Sequence, residues 1–250
     1  MVTPILAKKH FTRIKHLLPL PRRPRKYDAR LVLSGIIFVN RNGIPWRHLP
    51  EIYGNWQAVY ATFMRWSKAG VFDAIFKKLN EKLGKKNIVM LDSTVTKAHR
   101  TAASLKADKK PRAIGRSRGG LTTKIHLLCT ADRRPVDFVL SEGQAGDAKI
   151  APELISNNFK YMKYLLADKA YDSNKIRALL SSNKVDACIP PKANRKEDIP
   201  YDKELYKKRH VIENMFGRLK DWRGVAMRYC RCAHTYRSFV CIAFSVIFLM

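Results

Sequence analysis

Two stretches decide the expected fold of this chain, Asn87-Ile-Val-Met-Leu-Asp92 and Tyr164-Leu-Leu-Ala-Asp168. Each is a short apolar run that ends in a carboxylate. Short apolar runs bounded by polar turns are typical of buried strands. A carboxylate at the carboxyl end of a strand lies at the edge where α/β proteins build their sites. We therefore predict two buried strands that bring Asp92 and Asp168 to one edge of a sheet.

The segments around these strands predict the rest of an α/β domain. Three further strands are expected, at 122–130, 135–143 and 186–190. Two helices are expected, at 147–155 and 173–183. Asp147 has the residue type and the position of an N-cap for the first of them. Strands followed by alternating strands and helices indicate a mixed sheet with helices on its faces.

The residues before Lys86 have the three- and four-residue apolar spacing of helices. Asp28 is expected to cap a helix that ends at Gly43. Asn55 is expected to begin a second helix that ends at Gly70, and a third helix follows up to Gly84. Helices joined by a short connection on a basic background are typical of a helix-turn-helix DNA-binding domain. A plain helical bundle is the alternative.

The charge balance predicts a polyanionic partner. The chain has 49 Lys and Arg residues against 20 Asp and Glu residues, a formal net charge of +29. Such a charge attracts nucleic acid or an anionic membrane surface, and we favour nucleic acid. The segment 97–118 is strongly basic, with eight Lys or Arg residues and one acid, Asp108. In the helical region the expected DNA contacts are Arg22, Arg23, Arg25, Lys26, Arg41, Arg47 and Arg65.

Other patterns narrow the class of protein. The five cysteines are irregularly spaced, and Cys230 and Cys232 lack a second pair for a zinc site. We interpret them as reduced thiols of a cytoplasmic protein. The first residues lack the pattern of a secretory signal. The apolar run 239–250 is shorter than the about 20 residues of a membrane span, so a buried helix or strand is expected.

A third carboxylate is expected on a helix near the carboxyl end. Tyr206, Arg209, Glu213 and Lys220 lie at offsets 0, 3, 7 and 14. In one continuous helix of about 100° per residue, they share a polar stripe about 60° wide. Such a stripe is typical either of an exposed, salt-bridged face or of a site, and the spacing alone does not separate the two.

The order and spacing of these residues resemble a known family. Tyr206-x2-Arg209-x3-Glu213-x6-Lys220 matches in full the signature of one large group of bacterial insertion-sequence transposases, the insertion-sequence four and five group. The segments 115–126, 167–173 and 189–196 look like further segments of that family. The segments 23–36 and 43–50 resemble its N-terminal domain, so the resemblance covers nearly the whole chain.

The resemblance implies a ribonuclease-H-like core and a metal-dependent enzyme. Asp92, Asp168 and Glu213 would be the catalytic acids and would hold two divalent ions, Mg²⁺ or Mn²⁺. The enzyme would cleave double-stranded DNA at terminal inverted repeats and join the freed end to target DNA. Further contacts with DNA phosphates are expected from Tyr206, Arg209, Lys220, Lys169, Arg116, Arg118 and Lys124.

The same resemblance implies the organisation of the protein. We expect a helical DNA-binding domain at 1–84 and a ribonuclease-H-like catalytic domain at 85–250. A homodimer or a larger synaptic complex is expected, acting in the bacterial cytoplasm at the nucleoid. One alternative is a catalytically silent or domesticated DNA-binding protein derived from a transposase. A basic RNA-binding protein is another alternative, but it would explain the charge and not the three acids.

Overall fold

The computed structural model describes residues 5–20, 27–81, 84, 86–104, 112–197 and 199–249. The chain divides into two compact units. The helical unit comprises Met1–Leu79, His99–Lys110 and Leu219–Met250. The sheet unit comprises Asn80–Ala98 and Pro111–Arg218.

Before residue 88 the described residues form helices and 3₁₀ turns but no strand, and further helices follow later in the chain. In chain order, the α-helices are α1 (Lys8–Ile14), α2 (Ala29–Asn42), α3 (Trp56–Lys68), α4 (Val71–Asn80), α5 (Arg100–Ala103), α6 (Asp147–Ser156), α7 (Asn174–Ser182), α8 (Lys203–Lys207), α9 (His210–Lys220), α10 (Arg223–Ala226) and α11 (Ala233–Leu249). Short 3₁₀ turns join several of them.

Local capping chemistry sets the ends of α2 and α3, as the sequence predicts. The Asp28 carboxylate accepts a hydrogen bond of 2.9 Å from the Arg30 amide at the start of α2. Gly43 ends that helix in the left-handed region, with φ +64°. The Asn55 side chain accepts from the Gln57 amide at 2.9 Å and begins α3. The third helix was expected to reach Gly84, whereas α4 ends at Asn80.

The apolar run near the carboxyl end is a helix buried on nearly all sides. Phe239 and its neighbours lie in α11, which packs against α2 and α3. Asn40 of α2 donates a buried hydrogen bond of 2.9 Å to the Phe239 carbonyl. The Phe63 and Phe239 rings lie 5.0 Å apart. Among the described residues, no helix is both long and apolar enough to cross a membrane.

The compact units differ from the expected division at residue 84. The expected catalytic domain at 85–250 contains α11, whereas the structure includes this helix in the helical unit. The physical reason is that an all-round apolar helix must be buried somewhere, and its pattern does not say against which partners. The two functional domains at 1–84 and 85–250 stay a prediction.

The sheet unit is built on a mixed sheet, which confirms the expected mixed α/β class. Its strands are β1 (Ile88–Ala98), β2 (Gly115–Ser117), β3 (Gly120–Thr130), β4 (Pro135–Glu142), β5 (Tyr164–Ala167) and β6 (Asp186–Cys188), and a short strand β7 (Met227–Arg228) follows later in the chain. The order is β2-β3-β1-β5-β6, with β4 also paired to β3. β1 is antiparallel to β3 and parallel to β5, and β5 is parallel to β6.

One strand boundary differs from the prediction. Asp92 was expected at the end of its strand, but β1 continues to Ala98. Pairing with β3 explains the extension, because antiparallel partners continue as far as Lys97 and Thr122. The parallel pairing with β5 does end at Leu91 and Ala167. Asp92 therefore lies at the end of the parallel part of the sheet, although not at the end of its strand.

The predicted cap of α6 is also wrong. Asp147 is the first helical residue, and Gly146 occupies the N-cap position without a side-chain hydrogen bond. The Asp147 carboxylate accepts from side chains of β1 and β3 instead. Ser93 and Lys124 lie far from Asp147 in sequence, so a local sequence rule could not predict these hydrogen bonds.

The close approach of α10 to α2 predicts a stability effect at Gly224. A Cβ at this position would lie 2.7 Å from the Asn40 carbonyl oxygen. We expect Gly224→Ala to lower the free energy of unfolding by about 1–3 kcal/mol, because two packed backbones must separate. The measurement is urea unfolding followed by circular dichroism.

A matched glycine in α9 provides the control. Nothing lies within 4 Å of a Cβ at Gly217. Gly217→Ala should raise the free energy of unfolding by about 0.5–1 kcal/mol, because alanine loses less entropy in a helix. Equal effects of the two substitutions would contradict the packing account.

Candidate active site

Asp92 and Asp168 lie side by side on adjacent parallel strands. Each directly follows the last paired residue, Leu91 in β1 and Ala167 in β5. The Asp168 carboxylate accepts a hydrogen bond of 2.8 Å from the Ala170 amide. Parallel strands present their carboxyl ends at the same edge of a sheet, so two negative charges meet there.

The environment of Asp92 disfavours its negative charge. Burial raises the pKa of Asp92 above its ordinary value, and the nearby charge of Asp168 raises it further. The Ser93 amide, at 2.8 Å, and the Arg209 guanidinium offset only part of this effect. Positive charge beside Asp92 therefore favours its ionised form.

Arg209 supplies that positive charge and brings in the third acid. One guanidinium nitrogen donates to Asp92 at 2.8 Å, and another donates to Glu213 at 2.5 Å. Arg209 and Asp92 are each about one-fifth exposed, whereas Glu213 is 56% exposed. A single side chain thus links the β1 carboxylate to the first turn of α9.

The polar stripe is not carried by one continuous helix. The chain makes α8, then a turn at Lys208 and Arg209, and then α9. Arg209 precedes the first helical residue of α9, so the angles expected from one helix do not hold between Tyr206 and Glu213. The ion pair, and not a shared helical face, brings Arg209 to Glu213.

The other members of the signature lie at the two ends of this segment. Tyr206 is half-buried in α8, and its ring lies 5.6 Å from the Tyr201 ring. Burial raises the pKa of Tyr206, so its hydroxyl stays protonated at neutral pH. Lys220 is exposed and is the last residue of α9.

The expected phosphate contacts of the sheet unit differ in their surroundings. Lys169, Arg116 and Arg118 are exposed. Lys124 is engaged within the protein, since its ammonium donates to the Ala145 carbonyl at 2.7 Å and to Asp147 at 2.9 Å. This placement favours a structural role for Lys124, and its contact with phosphate stays a prediction.

The expected DNA contacts of the helical unit are described in part. Arg41, Arg47 and Arg65 are exposed. The Arg41 guanidinium lies 5.7 Å from the centre of the Trp222 ring, and Arg65 donates to the Thr62 hydroxyl at 3.1 Å. The remaining four, Arg22, Arg23, Arg25 and Lys26, lie outside the described residues.

The donor chemistry of the site fits a hard divalent cation. Asp92, Asp168 and Glu213 offer carboxylate oxygens, the ligands that Mg²⁺ and Mn²⁺ prefer. The raised pKa of Asp92 shows that more positive charge is favourable there. Within the described part of the chain, no three His, Cys, Asp or Glu side chains converge closely enough to hold a metal ion. Glu213 is held by Arg209 in this structure.

A second ion network lies near the site, and the sequence analysis missed it. Asp172 is 1% exposed and accepts from Arg177 at 2.7 Å, from Arg195 at 2.8 Å and from the Lys192 amide at 2.8 Å. It thereby joins the segments 167–173 and 189–196, which the resemblance had noted separately. A buried acid that pairs with arginines 5 and 23 positions away leaves no periodic signal.

The Asp172 network predicts a pH-dependent loss of stability. Burial alone would raise the pKa of Asp172, but the hydrogen bonds from Arg195, Lys192 and Arg177 hold it well below its ordinary value. At pH 7 we expect Asp172→Asn to lower the free energy of unfolding by about 3 kcal/mol, because two arginines lose a buried partner.

The sign of the pH effect follows from the lowered pKa. The stability that ionised Asp172 contributes is complete above the unfolded pKa of about 3.9 and is lost as the pH falls towards the folded pKa. The difference between wild type and Asp172→Asn in urea unfolding should therefore shrink between pH 5 and pH 3. The exposed Asp186 is the control, and Asp186→Asn should change stability by less than about 0.5 kcal/mol. A difference that grows at low pH would contradict the network.

Removal of Arg209 should also destabilise the protein less as the pH falls. Arg209→Gln leaves Asp92 with less compensation, so we expect a loss of about 1–3 kcal/mol at pH 7 in buffer free of divalent ions. Because the folded pKa of Asp92 lies above its unfolded value, protonation relieves the loss as the pH falls towards about 4. The loss of stability is measured by thermal unfolding of Arg209→Gln. The control is Arg218→Gln, a change at an exposed arginine of α9. An equal loss of stability at pH 7 in both variants would contradict the role of Arg209 in stabilising the charge of Asp92.

Two protein-family models match the chain. One is described as "Putative transposase of IS4/5 family" and matches residues 6–76. The other is described as "Transposase DDE domain" and matches residues 83–248. The second match spans well over half of the chain and includes Asp92, Asp168 and Glu213.

Relatives from three bacteria are similar to this chain. The "Putative transposase for insertion sequence element IS6501" of Brucella ovis is 35% identical over 130 residues, which is 52% of this chain and 99% of that protein. The uncharacterized protein y4sN of Sinorhizobium fredii is 34% identical over 95 residues, 37% of this chain and 75% of that protein. The insertion element IS402 uncharacterized 16.2 kDa protein of Burkholderia cepacia is 34% identical over 92 residues, 33% of this chain and 63% of that protein.

Solved structures of the Mos1 transposase also align with the chain. The paired-end complex with the left transposon end is 10% identical, covers 82% of each chain and gives a TM-score of 0.28. The strand transfer complex is 12% identical, covers 80% of this chain and 66% of that chain, and gives a TM-score of 0.32.

Proposed function

Because the chain belongs to the family of transposases with a DDE domain, we propose that Asp92, Asp168 and Glu213 are its three catalytic acids. The chain is an insertion-sequence transposase, an enzyme that cleaves and transfers DNA strands. The observation that supports the proposed triad is the pairing of β1 with β5, which sets Asp92 beside Asp168, together with the Arg209 link to Glu213.

The three acids are proposed to hold two divalent ions, Mg²⁺ or Mn²⁺. Such ions supply Lewis-acid chemistry, since they stabilise the attacking and leaving oxygens of a displacement at phosphorus. Asp92 and Asp168 contribute adjacent carboxylates from the sheet edge. Glu213 contributes a more exposed carboxylate from α9, which can move because only Arg209 engages it among its side-chain contacts in the described structure.

Arg209 is proposed to have a different partner in each state. Without a divalent ion it neutralises Asp92 and Glu213. With DNA bound it contacts a phosphate near the scissile bond, because an arginine fork suits phosphate as well as carboxylate. Tyr206, Lys220 and Lys169 lie near the three acids along the chain and are proposed to make further phosphate contacts.

The remaining assignments follow from charge and family. The net charge of +29 supports double-stranded DNA as the partner. We propose that the N-terminal domain recognises the terminal inverted repeats and that Arg116 and Arg118 contact the DNA backbone. A homodimer or larger synaptic complex at the bacterial nucleoid is also proposed.

The direct test is cleavage of a DNA duplex that carries the element's terminal repeats, with Mg²⁺ or Mn²⁺. Asp92→Asn, Asp168→Asn and Glu213→Gln should each lower the cleavage rate by more than about 100-fold, since loss of a metal ligand exceeds the effect of an outer partner. DNA affinity, measured by fluorescence anisotropy in Ca²⁺, should stay within about threefold.

Glu204→Gln is the matched control. Glu204 is a strongly exposed carboxylate of α8 whose ion pair is with Lys207, and its replacement should leave cleavage unchanged. Cleavage that survives in any triad variant would refute the assignment of that acid. DNA binding without cleavage by the wild type would favour the catalytically silent alternative.

A further inference from the structure

A polar cluster lies on the other side of β1 from Asp92. Asp92 and Ser93 are successive strand residues, so their side chains point to opposite faces of the sheet. The Ser93 hydroxyl donates to Asp147 at 3.0 Å, and the Lys124 ammonium donates to the same carboxylate oxygen at 2.9 Å. Asp147 thus ties the first turn of α6 to β1 and β3 at the residue next to Asp92.

Two buried polar groups border this cluster. His126 pairs with Ser93 in the β1–β3 register, is fully buried, and has its Nδ1 3.7 Å from Asp147. Burial lowers the pKa of His126 to about 4, so the ring is neutral at pH 7. His126 Nδ1 has no hydrogen-bond partner among the described residues, and the buried Tyr171 hydroxyl lies beside Ser93.

This arrangement is costly as a purely structural device. A buried polar atom without a partner costs free energy, and apolar side chains in place of a partly buried ion pair are often as stable. Tyr171 also follows Asp168 closely, and Asp147, Asp92 and Asp168 all act on its hydroxyl. Tyr171 therefore lies near both Asp147 and the two aspartates of the sheet edge.

We propose that Asp147 is a positioning residue for Asp92. By fixing Ser93, it sets the twist of β1 at this point and so directs the Asp92 carboxylate into the site. Lys124 is its counter-ion. This inference rests on the proposed function, because it assigns Asp92 to the metal site.

Because one Asp147 oxygen accepts both hydrogen bonds, the two substitutions Asp147→Ala and Asp147→Asn separate positioning from charge. Asp147→Ala removes the acceptor and should lower the cleavage rate at saturating DNA by about 10- to 100-fold. It should weaken Mn²⁺ binding, measured by calorimetry, by a similar factor and leave DNA affinity unchanged. Asp147→Asn keeps an acceptor oxygen and should restore both values to within about threefold.

A double-mutant cycle tests the route through Ser93. Ser93→Ala should weaken Mn²⁺ binding, and the double variant Ser93→Ala/Asp147→Ala should be no weaker than Asp147→Ala alone, because both changes break the same hydrogen bond. Asp137 is the control, since it accepts at 3.0 Å from Asn158 just beyond the other end of α6. Asp137→Ala should lower the melting temperature but not the Mn²⁺ affinity.

The outcomes separate this inference from the proposed function. Wild-type cleavage together with wild-type Mn²⁺ affinity in Asp147→Ala would overturn the inference and leave the function standing. A wild type that binds Mn²⁺ but does not cleave would overturn the proposed activity, while weaker Mn²⁺ binding in Asp147→Ala would still support the positioning role. A wild type that neither cleaves nor binds Mn²⁺ would overturn both.

Discussion

The charge of Asp92 is the constraint on which the site depends. Partial burial and a second carboxylate nearby both disfavour the ionised form of Asp92, and a cation beside it favours that form. Arg209 provides this cation and at the same time binds Glu213. The electrostatic need of one half-buried acid therefore brings together residues 117 and 121 positions apart in the chain.

The acidic residues of the sheet unit are each held by a different kind of partner. Asp168 is fixed by a backbone amide, and Asp172 by two arginines. Asp147 is fixed by a lysine and a serine on the opposite face of β1 from Asp92. In a chain with 49 cationic and 20 acidic residues, acids held by specific partners are typical of organised sites rather than of a solvated surface.

The helical unit illustrates how buried polar contacts select one packing of apolar helices. The helix α11 is apolar on nearly every side and could pack in many orientations. The hydrogen bond from Asn40 to the Phe239 carbonyl and the one between the Ser238 and Ser67 hydroxyls, at 2.8 Å, specify one of them. The exposed Arg41, Arg47 and Arg65 remain on the surface of this unit.

The sequence by itself determined the local features, because capping residues and apolar periods act over a few residues. Asp28, Gly43 and Asn55 mark helix ends correctly, and the runs before Asp92 and Asp168 mark the central strands. Only the tertiary structure decided that β1 passes Asp92, that Asp147 binds Ser93 instead of capping α6, and that α11 belongs to the helical unit. It also decided that the stripe breaks at Arg209. Each of these features depends on residues distant in sequence, and contacts between such residues leave no periodic pattern in the local sequence.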